Sequence, residues 1–307
     1  QKTAYEIYQC DWSSDVCSSD LAAIDLAGQT MSGTGALTLR GTGINLAGAL
    51  MNSSSIAATY AGLVTLGAAT SIIGGTGRIT LSNTGTITGA FGLTLGGASG
   101  GTIASIIGTT TGTLTKLDSG SWTLSGVNTF SGGSTLYAGI IKMGSARGLG
   151  TGAITVNTGA SLDLSGQAVT STGALTLNGT GISSGGALTN SASAASSYAG
   201  AVTIGSDSSI VTSSNAAGSI TLGSTVSNPY SLILGGVAAG TITGIVSSSG
   251  SVTKQGSGVW TLSAANTYSG GTLISLGTLK LGNATAFGTG NIVVSSGGAL
   301  DLNGQRS

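Results

Sequence analysis

The sequence predicts an all-β solenoid, and three observations carry that expectation. The chain repeats itself with a period of 138 residues. Its short apolar segments alternate with period two between tight turns. Its composition, with 56 Gly, one Pro and 6% charged residues, suits stacked coils better than the alternatives.

The repeat is clearest at its best-defined stretch. WTLSGVNTFSGGSTLYAGIIKMG, from Trp122 to Gly144, returns as WTLSAANTYSGGTLISLGTLKLG, from Trp260 to Gly282, with 12 of 23 positions identical. IDLAGQ at Ile24 returns as LDLSGQ at Leu162 and LDLNGQ at Leu300. YAGLVTLG at Tyr60 returns as YAGAVTIG at Tyr198, and FGLTLGG at Phe91 as YSLILGG at Tyr230, one residue out of step. Small loop changes between fixed strands produce such slips. The expected organisation is one continuous β-helix over 22–307, with repeat units 24–161 and 162–299 and the start of a third at 300–307. Recurrence at this length is the signature of a repeat architecture.

Within each unit, segments such as ALTL, AITV, SLDL and WTLS alternate apolar and small polar residues, with Gly, Asn or Ser between them. That pattern reads as half-buried strands joined by tight turns. Strand parity then assigns faces. Ile141 and Met143 point inward, with Ile140 and Lys142 outward; Leu279 and Leu281 match them, with Thr278 and Lys280 outward. Leu162 and Leu164 point inward around an outward Asp163, and Leu300 and Leu302 do so around Asp301. At about 20–25 residues per coil, Lys142 falls opposite Asp163 and Lys280 opposite Asp301, which predicts ion pairs between rungs. About 12–14 coils at about 4.8 Å each would extend on the order of 60 Å.

Composition excludes several classes. The 40% apolar content, delivered in ordered alternation, argues against disorder. No apolar run of about 18 residues suggests a membrane-spanning helix. Glycine has no strict third-position period, as collagen would require. Net charge is zero and the nine basic residues are scattered, so no nucleic-acid partner is expected.

Residues 1–21 stand apart, with four of the nine acidic residues, both cysteines (Cys10 and Cys17) and no repeat partner. The string SSDVCSSDL resembles translated sequencing-adaptor sequence. This segment is read as a non-native or disordered extension. It lacks the apolar region of about 7–15 residues of a signal peptide.

The recurring Trp-Thr-Leu-Ser…Asn-Thr-(Phe/Tyr)-Ser-Gly-Gly…Gly-x-(Ile/Leu)-Lys-(Met/Leu)-Gly unit resembles the autotransporter-associated β-strand repeat of bacterial type V secretion passengers. The resemblance implies a right-handed parallel β-helix, export across the bacterial envelope, and an extracellular or cell-surface location. The family's membrane link, a C-terminal β-barrel, is not in this sequence, and the chain reads as an internal fragment.

Candidate chemistry is sparse. Of the 13 charged residues after residue 21, seven recur with the repeat: Asp25, Asp163, Asp301, Lys116, Lys254, Lys142 and Lys280. A catalytic group is ordinarily single, whereas a structural position recurs. Asp118 and Asp207 do not recur, but they lie about four coils apart, too far for the roughly 5–9.5 Å of a glycosidase pair. There is no His for base catalysis or zinc ligation. Gly132-Gly133 and Gly270-Gly271 lack the Asp that calcium-binding nonapeptides require. No catalytic, cofactor-binding or metal-binding residue is assigned, and no cofactor is expected. The repeated aromatics (Trp122/Trp260, Phe130/Tyr268, Tyr60/Tyr198) are assigned to the core, and Asn128 and Asn266 to bridging turn backbone. Asn178-Gly179-Thr180 and Asn283-Ala284-Thr285 match the glycosylation sequon, for which coincidence is the expected reading in a chain this rich in Asn, Gly and Thr.

The functional expectation is a structural passenger segment, a stiff rod in adhesion or cell aggregation, with a host or self surface or self-association as partner. The alternatives are a carbohydrate-binding adhesin segment and, behind it, a polysaccharide-active β-helix enzyme.

Overall fold

The computed structural model describes residues 22–171 and 173–305. The calls on residues 1–21, including Cys10 and Cys17, lie outside the described residues. The described chain is all-β and its strands pair in parallel. Among the described residues the helical turns are two short 3-10 segments, Ile44–Leu46 and Ile182–Ser184, and no helix is long and apolar enough to cross a membrane. The fold divides after Gly152 into two compact units.

In the first unit each coil has three sides, because each full turn of chain contributes to three parallel ladders. The first ladder runs through the register Ile24, Leu50, Ile72, Leu95, Lys116 and Leu136, six rungs spaced 26, 22, 23, 21 and 20 residues apart. The second runs through Met31, Tyr60, Leu81, Ile103, Leu124 and Met143. The third begins with Leu37–Gly41 on the front half of Val64–Gly74, and continues through Thr86–Ile87 and Ile106–Ile107. The long strand Val64–Gly74 serves two ladders by turning a corner of the coil.

The second unit repeats this plan. Its first ladder passes through Leu162, Leu188, Ile210, Leu234, Lys254, Ile274 and Val294, seven rungs at spacings of 20 to 26 residues. Its second runs through Ala168, Ser197, Thr221, Thr241, Thr261, Lys280 and Asp301. Coil length and rung number agree with the values read from the sequence.

Period-two alternation dictates which side chains meet. Inward positions stack one aliphatic on the next: Leu50, Ile72, Leu95 and Leu136 in the first unit and Ile210, Leu234 and Ile274 in the second are all fully buried. Removing such side chains from water contributes roughly 1.5–3 kcal/mol each. Outward positions carry columns of half-exposed threonine, as in Thr59, Thr80, Thr102 and Thr123.

The parity assignments hold for Ile141, Met143, Leu279 and Leu281, all buried. Lys280 Nζ lies 3.9 Å from Asp301 Oδ2, the expected ion pair. Two assignments need correction. Asp163 keeps its parity but is only 4% exposed, because the turn at Ser191 in the next coil closes over it. Leu300 is half-buried and Leu302 is 55% exposed, since no later rung covers that coil among the described residues.

Candidate functional site

The repeated unit gathers the chain's heaviest chemistry, namely indole, ammonium and carboxamide groups, so it is the first place to look for a site. Its strand Leu114–Lys116 alternates Leu-Thr-Lys, which sends Lys116 to the same face as Leu114. Lys116 is therefore fully buried in the aliphatic column between Leu95 and Leu136. Its ammonium donates to the carbonyl oxygens of Leu117, Asp118 (2.6 Å) and Ala138 (3.1 Å). Lys254 does the same in the second unit, to Gln255 (2.8 Å), Gly256 (2.7 Å) and Leu276 (3.0 Å). Three N–H donors meet three carbonyls at a corner, tying one coil to the next. Burial pushes both amines down to about 8, opposed at Lys116 by the nearby Asp118 charge.

The corner is shaped for that lysine. Gly139 and Gly277 both have φ +70, and a Cβ on them would lie 2.5 Å from Lys116 Nζ and 2.9 Å from Lys254 Nζ. Glycine is needed there for conformation and for space alike. The indoles have an analogous accommodation. Trp122 and Trp260 are buried beside Gly101 and Gly240 of the preceding coil, their register partners. Each indole N–H reaches back to a carbonyl, Trp122 to Gly96 at 2.9 Å and Trp260 to Gly235 at 3.0 Å.

Asn128 and Asn266 bridge three coils, as the sequence suggested. Asn128 Oδ1 accepts from the Ile107 N–H (2.7 Å) and its Nδ2 donates to the Gly148 carbonyl (2.6 Å). Asn266 links Val246 N–H (2.8 Å) to the Ala286 carbonyl (2.5 Å). Tyr60 and Tyr198 donate their hydroxyls to the Gly35 and Gly173 carbonyls, each at 2.6 Å.

The recurring aspartates are turn formers. Asp25, Asp163 and Asp301 each accept through Oδ1 from the backbone N–H two residues on, at Ala27, Ser165 and Asn303. Those three residues have φ between 46° and 48°, a strained left-handed conformation that the carboxylate supports. Asp25 and Asp163 also accept from the backbone N–H and hydroxyl of Ser53 and Ser191 in the next coil. Burial tends to raise the Asp25 pKa, but hydrogen bonds from Ser53 and Ala27 outweigh it and hold the carboxyl below its ordinary value. The unrepeated acids are used the same way, Asp118 accepting from Gly97 N–H and Asp207 from Ser231 N–H. Among the described residues, no group of three or more His, Cys, Asp or Glu is placed to hold a metal ion.

What the surface offers instead is a groove of about 550 Å³ in the second unit, along the strands Ser251–Lys254, Thr272–Ile274 and Ile292–Val294. Ser251, Thr253, Ser269 and Asn291 supply hydroxyl and amide groups, Gly270, Gly271 and Gly290 form a wall without side chains, and Leu273 and Val293 add apolar surface. No charged side chain lines it. The sequence gave no sign of this groove, because it depends on turns in three successive coils.

Comparison with known proteins agrees with this geometry. Residues 114–142 and 252–281 each match the passenger-associated-transport-repeat. The matches begin at the buried-lysine strands, eight residues before the tryptophans that mark the unit in the sequence. A 66-residue stretch is 41% identical to the adhesin BmaC autotransporter of Brucella suis biovar 1 (strain 1330), covering 21% of this chain and 2% of that protein. No solved structure matches the chain. The chain therefore contains two passenger-associated-transport repeats, each built as a coil pair around a buried lysine and a buried tryptophan, and is similar over one stretch to an autotransporter adhesin.

Proposed function

We propose that this chain is a structural passenger segment of a surface-displayed or secreted bacterial autotransporter, a stiff spacing element in adhesion or cell aggregation. The observation that carries the reading is that the repeated lysine, tryptophan and asparagine groups are committed to carbonyls and amides of neighbouring coils. Groups spent in this way hold coils together and are not presented to a substrate. Stacked coils with nearest-neighbour contacts suit a spacer, since each adds length without a new core. The two passenger repeats and the partial likeness to an autotransporter adhesin support the location and the role.

The test is a replacement in the intact gene. Cells in which 22–307 is exchanged for an unrelated β-solenoid of similar coil number should still display the protein and still aggregate or adhere. Normal display with lost adhesion would sink the spacer role and move the binding surface onto this segment. The uncharged, hydroxyl-lined groove of the second unit favours a neutral glycan as the ligand in that second reading. Binding of the purified protein to neutral but not acidic glycans would mark it.

A further inference from the structure

The two sequons are alike in sequence and unlike in structure. Asn178 lies in the strand Leu175–Gly179, and its Nδ2 donates to the Val156 carbonyl at 3.1 Å. That nitrogen is occupied and held within a paired strand. Asn283 lies in the turn between Gly277–Leu281 and Ile292–Val294, where Ala284 and Thr285 are exposed and Asn283 is half-exposed. Asn283 Oδ1 accepts from the Thr285 backbone N–H at 3.0 Å and from the Thr285 hydroxyl at 3.1 Å. Its Nδ2 donates no hydrogen bond among the described residues.

Two hydrogen bonds into the amide oxygen draw electron density from the amide and favour its imidate-like form. The nitrogen thereby becomes easier to deprotonate and a better nucleophile. The threonine hydroxyl of the motif is what makes the second bond. Nor does the fold require asparagine at this place. The first unit makes the equivalent turn with Ser145, whose hydroxyl donates to the Gly126 carbonyl at 2.6 Å.

We propose that Asn283 is an acceptor for N-linked glycosylation and that Asn178 is not. The co-substrate is a diphosphate-activated sugar, carried on a nucleoside or on a lipid and delivered by a glycosyltransferase. Asn283 Nδ2 forms a bond to the sugar's anomeric carbon. The bond from that carbon to the diphosphate oxygen breaks, the diphosphate departs with the electron pair, and the amide proton passes to the transferase's base. Nothing is oxidised or reduced.

Trypsin cleavage at Lys280 and Arg306 isolates Asn283 on the fragment 281–306 of the chain made in its own cells. Mass spectrometry should find that fragment heavier by one or more sugar residues attached at Asn283, and the fragment 148–254, holding Asn178, at its unmodified mass. One or a few hexoses would indicate a nucleotide donor, and a single defined oligosaccharide a lipid donor. The increment should vanish in N283Q and T285A and persist in T285S, with far-ultraviolet circular dichroism unchanged in all three. An unmodified 281–306 fragment would overturn the proposal. So would an increment that survives T285A, since the hydroxyl would then have no part in acceptance.

Discussion

Phe130 and Tyr268 occupy equivalent places in the two repeats, and both are fully buried. The Tyr268 hydroxyl lies 2.6 Å from Thr272 Oγ1, four residues on. In the first repeat Ser134 takes the threonine's place, and its buried hydroxyl has no hydrogen-bond partner among the described residues. An unpaired buried hydroxyl costs about 1–3 kcal/mol, whereas a made hydrogen bond contributes about 0.5–1.5 kcal/mol. Phe130→Tyr should therefore raise stability by roughly 1 kcal/mol, supplying the missing partner. Tyr268→Phe should lower it by a similar amount. Denaturant unfolding of both variants checks the pair, and a loss of stability in Phe130→Tyr would show that the first repeat has no room for the hydroxyl. The buried lysines add a pH signature. Between pH 8, to which burial lowers them, and their ordinary 10.5, the unfolded chain binds more protons than the folded chain. Unfolding free energy must then rise with pH across that interval. Burial raises the pKa of Tyr198 and Tyr268, the latter to about 12, so above pH 10 their contribution falls as pH rises. A thermal-stability maximum near pH 10 is expected. The rise from pH 8 should disappear in a Lys116→Met/Lys254→Met double variant, which should also be less stable at neutral pH with six carbonyls left without their donors.

At the scale of the coil, the tryptophan and the glycine one rung before it form a single packing unit. A Cβ on Gly240 would lie 2.3 Å from Trp260 Cε2, with the next nearest atoms also in the indole. Gly240 is not among the positive-φ glycines, so the constraint there is space alone. Gly240→Ala should cost about 1–3 kcal/mol by overpacking. If the indole is the obstacle, Trp260→Leu should absorb most of that cost, giving a coupling of roughly 0.5–3 kcal/mol in a double-mutant cycle. Additive effects would place the strain elsewhere. Much of this scale was legible in the sequence. The 138-residue period located the equivalent strands, and parity gave the faces of Ile141, Met143, Leu279 and Leu281. Parity also contained the burial of Lys116 and Lys254, since Leu-Thr-Lys puts the lysine with the leucine, but a lone ammonium gives no hint of its carbonyls until the corner is folded. Asp163 was hidden for the same reason: the group that covers it, Ser191, lies 28 residues away on the next coil. The groove and the difference between the two sequons likewise depend on neighbours in space, which a one-dimensional pattern does not contain.

For the molecule as a whole, the sparse charge is an energetic statement. Charged residues are 6% of the sequence and net charge is zero. Stability must then rest on buried aliphatic columns, coil-to-coil hydrogen bonds and the buried lysine corners, all shielded from mobile ions. The Lys280–Asp301 pair is partly exposed, with side chains 35% and 46% accessible, and at 3.9 Å it is a loose contact. Pairs of this kind contribute about 0–1 kcal/mol and weaken as salt screens them. Raising sodium chloride from about 0.01 M to 1 M shortens the screening length from about 30 Å to 3 Å, yet it should hardly change the unfolding temperature here. The expected shift is within what about 1 kcal/mol would produce, a few degrees at most in a chain of this size. Lys280→Ala should fall within the same margin, while Lys254→Ala, which removes a buried ammonium from three carbonyls and leaves a cavity, should be far more damaging. Thermal unfolding followed by circular dichroism at the two salt concentrations, for the parent and both variants, separates the cases. A large salt-induced fall in the parent would mean that exposed charge pairing holds the coils together, contrary to the division of labour between Lys280 and Lys254 drawn here. A stack held by internal bonds keeps its stability wherever ionic strength varies, as it does outside a cell, and that is the physical property a spacer on a bacterial surface requires.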